Sequence, residues 1–466
     1  MEEPKIEERN ILAYESPKKL LKMFAWPAII SMLANSLYNI IDQIFIGQAV
    51  GYLGNAATTI AFPIVTVVLA LGTLFGVGGS AFAAIKLGEG RKDVAEKVLN
   101  TVTTMAFIIG IIMMIAGLIY LEPILKIFGA TDQTMQYSKE FGGIMIAIIP
   151  ITMLIIGLAN LARADGNPRL AMRSLVSGVV INLLLAPFFI FQFHWGVWGA
   201  ALATACAQIF SLAVLIWYFV HSSKMRLSLH YLLNPDLNIC RKVMAIGFSS
   251  CILQSGATIL QICMNNSLLY YGNLSPVGGD MAISAMGIVM KVNMIVISTC
   301  VGIGMGAQPI IGFNRGAGEP ARVKETYLLA ATVASAVTVT GWLCCQFIPE
   351  EILLIFGSNG EDFMAFAVSC MQLFLGGVFV AGFQIISTSY FQATGQPLKA
   401  SLLSMLRQLI LLLPLIFLLP LWFGLYGILY AGMISDLVAA AIVAVFMVKE
   451  MKKLNREIAK KTIVSK

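Results

Sequence analysis

The residues of this 466-residue chain that could do chemistry are few, and each stands in apolar surroundings. Asp42 lies within SLYNIIDQIFIG, with Tyr38 and Asn35 one and two turns before it on the same helical face. An ionised carboxylate in such a run costs roughly 2.5–3.5 kcal/mol on insertion scales, so it must take a proton, pair with a cation or face water. Lys291, in AMGIVMKVNMIVI, is the one base read as lying well inside an apolar run. Asp436, in GMISDLV, is its possible partner. Met286, Met290 and Met294 recur at four-residue spacing around Lys291, a soft wall that either fills a core or re-packs around varied lipophilic cations. Buried groups that change charge suit the coupling of an ion gradient to solute movement. They do not form a catalytic set at one depth. The eight cysteines have no ligand spacing and the three histidines sit in loops or at helix ends, so neither an enzyme nor a metal site is expected.

The elements that must position these groups follow from composition. Hydrophobic residues make up 58% of the chain and charged residues 12%, about half the charged share of a soluble domain. Crossing about 30 Å of hydrocarbon takes roughly 20 apolar residues. Twelve runs qualify, near 21–46, 56–84, 97–120, 137–160, 169–193, 196–222, 239–270, 279–305, 321–349, 363–390, 398–420 and 424–450. Runs this long are helices, since membrane strands are much shorter. The charged first 20 residues carry no signal-peptide pattern, so span 1 is expected to direct its own insertion.

Of 31 Lys and Arg, 28 fall on the side of the two termini when the loops after spans 2, 4, 6, 8 and 10 are assigned there; Arg407 is among those counted after span 10. The asymmetry predicts both termini cytoplasmic. It also accounts for the net charge of +7, which needs no nucleic-acid partner.

A shift of 228 positions superposes the two halves. Gly76, Gly78, Gly88 and Gly90 meet Gly304, Gly306, Gly316 and Gly318, and ILKIFG at 124–129 meets ILLIFG at 352–357. At 229, Gly166 and Pro168 meet Gly395 and Pro397; at 228 again, Gly196 and Gly199 meet Gly424 and Gly427. Six helices per repeat is an even number, so the halves share one orientation and a two-fold axis along the membrane normal. The expected fold is an all-α membrane protein of twelve transmembrane helices in two pseudo-symmetric six-helix lobes. Residues 1–20 form a tail, 21–222 the N-lobe, 223–238 a soluble-looking linker, 239–450 the C-lobe and 451–466 a second tail. No Gly-rich loop precedes a Lys-Ser/Thr pair, so no ATP site is evident.

The segments GTLFGVGGSAFAAIKLGEGRKDVAEKV, RADGNPRLAM, GIGMGAQPIIGFNRGAGEPARVKE, FQATGQPLKASLLSMLRQLILLLPLIFLLP and GMISDLV together resemble the MATE (multidrug and toxic compound extrusion) family, in its DinF-like prokaryotic branch. The likeness runs from about residue 18 to 450. It implies a V of two lobes, alternating access, and export of drug-like lipophilic cations against protons or sodium ions by a monomer in a prokaryotic cytoplasmic membrane, with no further cofactor. It also implies that the span-1 carboxylate Asp42 is a cation site with Asn182 and Thr204, and that Lys291 and Asp436 are branch traits in the C-lobe cavity. The chain departs from the branch where N-x-x-x-D-P reads Asn182-Leu-Leu-Leu-Ala186-Pro187. One carboxylate suffices for a proton and is sparse for sodium, so protons are favoured. A lipid-linked oligosaccharide flippase of the same superfamily would need several cavity bases, and a receptor or scaffold would not explain duplicated lobes with buried charges.

Overall fold

Twelve apolar runs can hide their backbone polar groups in lipid only as helices, and helices are what forms. The computed structural model describes the backbone of residues 11–50, 52–128, 130, 134–354 and 361–464; side chains at 35, 37–40, 42–44 and some further positions fall outside the described residues. Among the described residues there is no strand. In chain order the N-lobe holds α1 (Pro17–Val50), α2 (Tyr52–Gly88), α3 (Lys92–Ile119), α4 (Met135–Ala147 continued by Ile149–Ala164), α5 (Pro168–Gln192) and α6 (Gly196–His221). The C-lobe holds α7 (Leu237–Asn273), α8 (Gly279–Gly316), α9 (Pro320–Phe347), α10 (Glu361–Ala393), α11 (Pro397–Phe423) and α12 (Leu425–Val464). Ten of these are long and apolar enough to cross a membrane, and α4 makes an eleventh across a 48° bend. The bend falls where Pro150 opens the second half of α4, removing a backbone donor. α1, at 34 residues, completes the twelve.

The repeat seen in the sequence has a structural cause. Three matched pairs of glycines, Gly90 with Gly318, Gly166 with Gly395 and Gly196 with Gly424, adopt positive φ between 52° and 97° at equivalent helix ends. Gly88 and Gly316 serve close approach. A Cβ on Gly88 would fall on the carbonyl oxygen of Phe313, and one on Gly316 on that of Ile85. Since 85 and 313 are themselves repeat mates, the α2–α8 contact repeats itself about the pseudo-two-fold axis. Gly78 and Gly247 seat α2 on α7 at Val243 and Leu74, while Gly302 and Gly306 seat α8 on α1 at Ile29 and Ala25. This seam occupies the end of the bundle where both termini lie. In the other half, Gly72 meets Ile156 of its own lobe, Gly341 meets Val296 of its own, and a Cβ on Gly287 would meet nothing within 4 Å.

Several ends differ from the sequence expectation. α8 continues to Gly316 rather than stopping near 305, and α12 runs on to Val464, so 451–464 is helix rather than a separate tail. Ion pairs hold that extension to the C-lobe: Arg315–Glu457 at 2.6 Å and Lys461–Glu319 at 2.5 Å. Residues before α1 are tied to the opposite lobe, where Arg322 of α9 donates to the carbonyls of Leu12 and Glu15 at 3.2 and 2.5 Å.

The linker 223–238 is a docked strap rather than a loose tether. Asp165, at the end of α4, accepts three bonds on one oxygen, from Tyr218 Oη at 2.6 Å, Ser223 Oγ at 2.7 Å and the Lys224 amide at 3.2 Å. Burial pushes its carboxyl up, against those donors, which pull it down. Asn100 of α3 clamps the next stretch, donating to the Arg226 carbonyl at 3.0 Å and accepting from the Ser228 amide at 2.9 Å.

Two outcomes are expected. Gly88→Ala and Gly316→Ala each drive a methyl into an opposing carbonyl and cost roughly 1–3 kcal/mol by overpacking, read as a lower Tm of the purified protein. Gly287→Ala should leave Tm unchanged or slightly higher; equal behaviour of Gly316→Ala would mean that the lobes do not meet backbone to backbone. Asp165→Ala removes an acceptor of two strap bonds, each contributing about 1 kcal/mol net. Limited trypsin cleavage after Lys224 and Arg226 should then run about thirtyfold faster, and a wild-type rate would put the hold on the strap elsewhere.

Candidate functional site

A polar side chain at membrane depth must find a partner within the bundle, and each lobe solves this differently. In the N-lobe, Asn182 of α5 donates Nδ2–H to Thr204 Oγ1 of α6 at 2.9 Å, and Thr204 donates on to the Ala200 carbonyl at 3.2 Å. Asn182 is buried, and its Oδ1 has no hydrogen-bond partner among the described residues. A buried carbonyl oxygen in that state is poised for a donor or a cation. α5 also packs against α1, the helix that carries Asp42. The side chains of Asp42, Tyr38 and Asn35 lie outside the described residues. Ala186 is fully buried one turn beyond Asn182, so the place of the branch's second carboxylate is closed by a methyl.

Below this site α5 and α6 are joined by reciprocal bonds, Ser174 Oγ to the Ser211 carbonyl and Ser211 Oγ to the Ser174 carbonyl, both at 2.9 Å. Gly178 leaves room for Ser211. On α6, Gln208 Oε1 accepts from Thr152 Oγ1 of α4 at 2.5 Å.

The C-lobe carries charge in the equivalent place. The repeat shifts pair Gly178 with Arg407 and Gln208 with Asp436. Arg407 Nε donates to Asp436 Oδ1 at 2.5 Å, joining α11 to α12, and Gln384 of α10 donates to the Asp436 backbone carbonyl at 2.7 Å. Arg407 is the second residue of a π-helical stretch, Leu406–Leu412, a geometry frequent at functional sites. At 1.5 Å per residue, Arg407 lies about 15 Å in from Pro397 and Asp436 about 16 Å in from Leu425, near mid-depth for both.

Two expectations are corrected here. Asp436 pairs with Arg407 and not with Lys291, and Arg407 is not a loop residue: it stands ten residues inside α11. The misassignment came from counting it with Lys399, although MLRQLILLL has the same sequence signal as Lys291, a base within an apolar run. Lys291 is exposed on α8 and makes no ion pair among the described residues. The methionine stripe divides: Met286 is buried in the C-lobe core, Met290 is half-buried and Met294 is 46% exposed. Met286 therefore fills a core, because its face of α8 turns toward α10, while Met294 remains accessible.

One family model, MatE, matches the chain twice, over residues 27–188 and 256–418, once in each lobe. The chain is 26% identical to Multidrug export protein MepA of Staphylococcus saprophyticus, over 92% of this chain and 93% of that protein. It is 24% identical to the protein of the same name from Staphylococcus aureus, over 93% and 94%. Among solved structures it resembles an outward-facing multidrug resistance MATE family transporter of the MOP superfamily, with a TM-score of 0.89 at 21% identity over 96% of this chain and 99% of that one. A MOP superfamily transporter from Pyrococcus furiosus, described as having a binding pocket of reverse polarity, gives 0.88 at 22% identity over 95% and 98%. At these identities the structural likeness speaks for the fold alone.

Proposed function

Because the chain belongs to the MatE family of transporters, we propose that it exports drug-like lipophilic cations by alternating access, in exchange for protons, as a monomer in a prokaryotic cytoplasmic membrane with both termini inside. The relatives named for multidrug export support the substrate class. The observation that carries the coupling scheme is the Asn182–Thr204 pair, whose free Asn182 Oδ1 lies on a helix packed against the one bearing Asp42. Asp42 is the group that takes the proton from one side and releases it to the other. An ionised carboxylate in an apolar span is costly, and taking a proton relieves that cost. A proton needs one basic oxygen. A sodium ion wants several oxygens and compensating charge, and Asp42, Asn182 and Thr204 supply three side-chain groups with one charge. The closed methyl at Ala186 removes the second charge. The flippase alternative needs several unpaired cavity bases; of Lys291 and Arg407, the second is already neutralised by Asp436.

Asp42→Asn should abolish gradient-driven export while leaving expression and membrane insertion intact. Undiminished resistance to cationic dyes in cells carrying that variant would refute the assignment. In proteoliposomes, export by the unmodified protein should follow an imposed pH gradient and ignore sodium, and Ala186→Asp should introduce a sodium response. Strong sodium dependence of the unmodified protein would show that the site manages with a single carboxylate.

A further inference from the structure

The charges at mid-depth in the C-lobe exceed what its own packing uses. A guanidinium carries five N–H donors. Only Nε of Arg407 is engaged, by Asp436 Oδ1 at 2.5 Å; among the described residues neither Nη nitrogen donates to a protein acceptor. The Arg407 side chain keeps 22% of its surface accessible, whereas Asp436 keeps 5%. Four free N–H groups at this depth cannot face hydrocarbon, where each unsatisfied donor costs several kcal/mol. They must open onto water or onto a bound acceptor inside the protein.

We propose that Arg407 is the fork of an anion subsite in the C-lobe that receives the carboxylate of an amphipathic zwitterionic substrate. The proposal deepens the exporter reading and rests on it. The paired Nη groups match a carboxylate in bidentate geometry, which an ammonium cannot do. Asp436 makes the guanidinium tolerable when no substrate is bound, and it fixes the fork by holding Nε. Gln384 anchors the Asp436 backbone in turn, so the pair stays in register. Lys291 adds an exposed ammonium on α8, about 15 Å in from Met281. At this depth the C-lobe therefore carries two bases and one acid, and an incoming carboxylate brings the balance to zero. The repeat mates in the N-lobe, Gly178 and Gln208, are neutral, and that lobe's first span carries the acid Asp42. A substrate with a cation at one end and a carboxylate at the other finds opposite charge in the two lobes. A plain cation engages the N-lobe alone.

The test uses a rhodamine with a free carboxylate and its ethyl ester, which share the cationic ring system and differ by one negative charge. Binding of each to the purified full-length protein is followed by fluorescence polarisation. Arg407→Gln should weaken binding of the free acid relative to the ester by about tenfold, the loss of a charge-assisted hydrogen-bond pair. That variant leaves Asp436 unpaired and can lower stability, so Arg407→Gln/Asp436→Asn, which removes both charges together, should show the same drop. An unchanged acid-to-ester ratio in the double variant, or a wild-type protein that binds the ester and not the acid, overturns the proposal. Failure of the exporter reading appears separately, as wild-type protein that binds both dyes and drives neither out of proteoliposomes.

Discussion

The structure depends on backbone meeting backbone between its two lobes. Inside a bilayer the hydrophobic effect gives no reason for one apolar helix to prefer another over lipid, so association rests on close van der Waals fit. Here the fit is made by glycine. At Gly88 and Gly316 no side chain of any size can be accommodated, and each opposes the repeat mate of the carbonyl that the other opposes. The seam is therefore one interaction used twice, and its symmetry explains why the same glycines recur 228 residues apart. Because the seam is confined to the end bearing the termini, the halves of α2 and α8 beyond it are free to diverge.

Around this seam the surface segments act as fasteners. The strap between the lobes is bound to the N-lobe through Asp165 and Asn100, while the extension of α12 is bound to the C-lobe through Glu457 and Lys461. The short helix at Ile11–Tyr14 crosses over, with its carbonyls held by Arg322 of the other lobe. Each fastener keeps polar backbone satisfied where helices leave the apolar zone. Two bind within one lobe and one bridges both.

The lobes have one ancestry of shape and two kinds of electrostatics. Burying an ion pair is costly unless geometry and further bonds compensate, and the Arg407–Asp436–Gln384 arrangement supplies them in the C-lobe. The N-lobe meets the same packing problem with neutral groups, Ser174, Ser211, Thr152 and Gln208. Its acid within a span, Asp42, stands on α1. A duplicated fold with unlike charges in its halves is electrostatically asymmetric, which an identical pair of lobes would not be.

The sequence by itself determined the class of the protein, the number of helices, the repeat and the location of Asp42, Asn182, Thr204, Lys291 and Asp436 in membrane spans. It could do so because lipid permits one backbone solution, and because a polar residue in an apolar run stands out wherever it occurs. Arg407 was legible by the same rule, and only its being counted with Lys399 on the side of the termini concealed it. Partnership was not legible. Which base meets Asp436 depends on how α8, α11 and α12 are rotated about their axes, and Arg407 lies in a π-helical stretch, Leu406–Leu412, whose facing the sequence pattern does not give. The docking of the strap was likewise invisible, since KMRLSLHYLLNPDLNI reads as polar linker until Asn100 and Asp165, more than fifty residues away, are brought against it. Contacts between distant segments follow from the packed helices, and only the tertiary structure decided them.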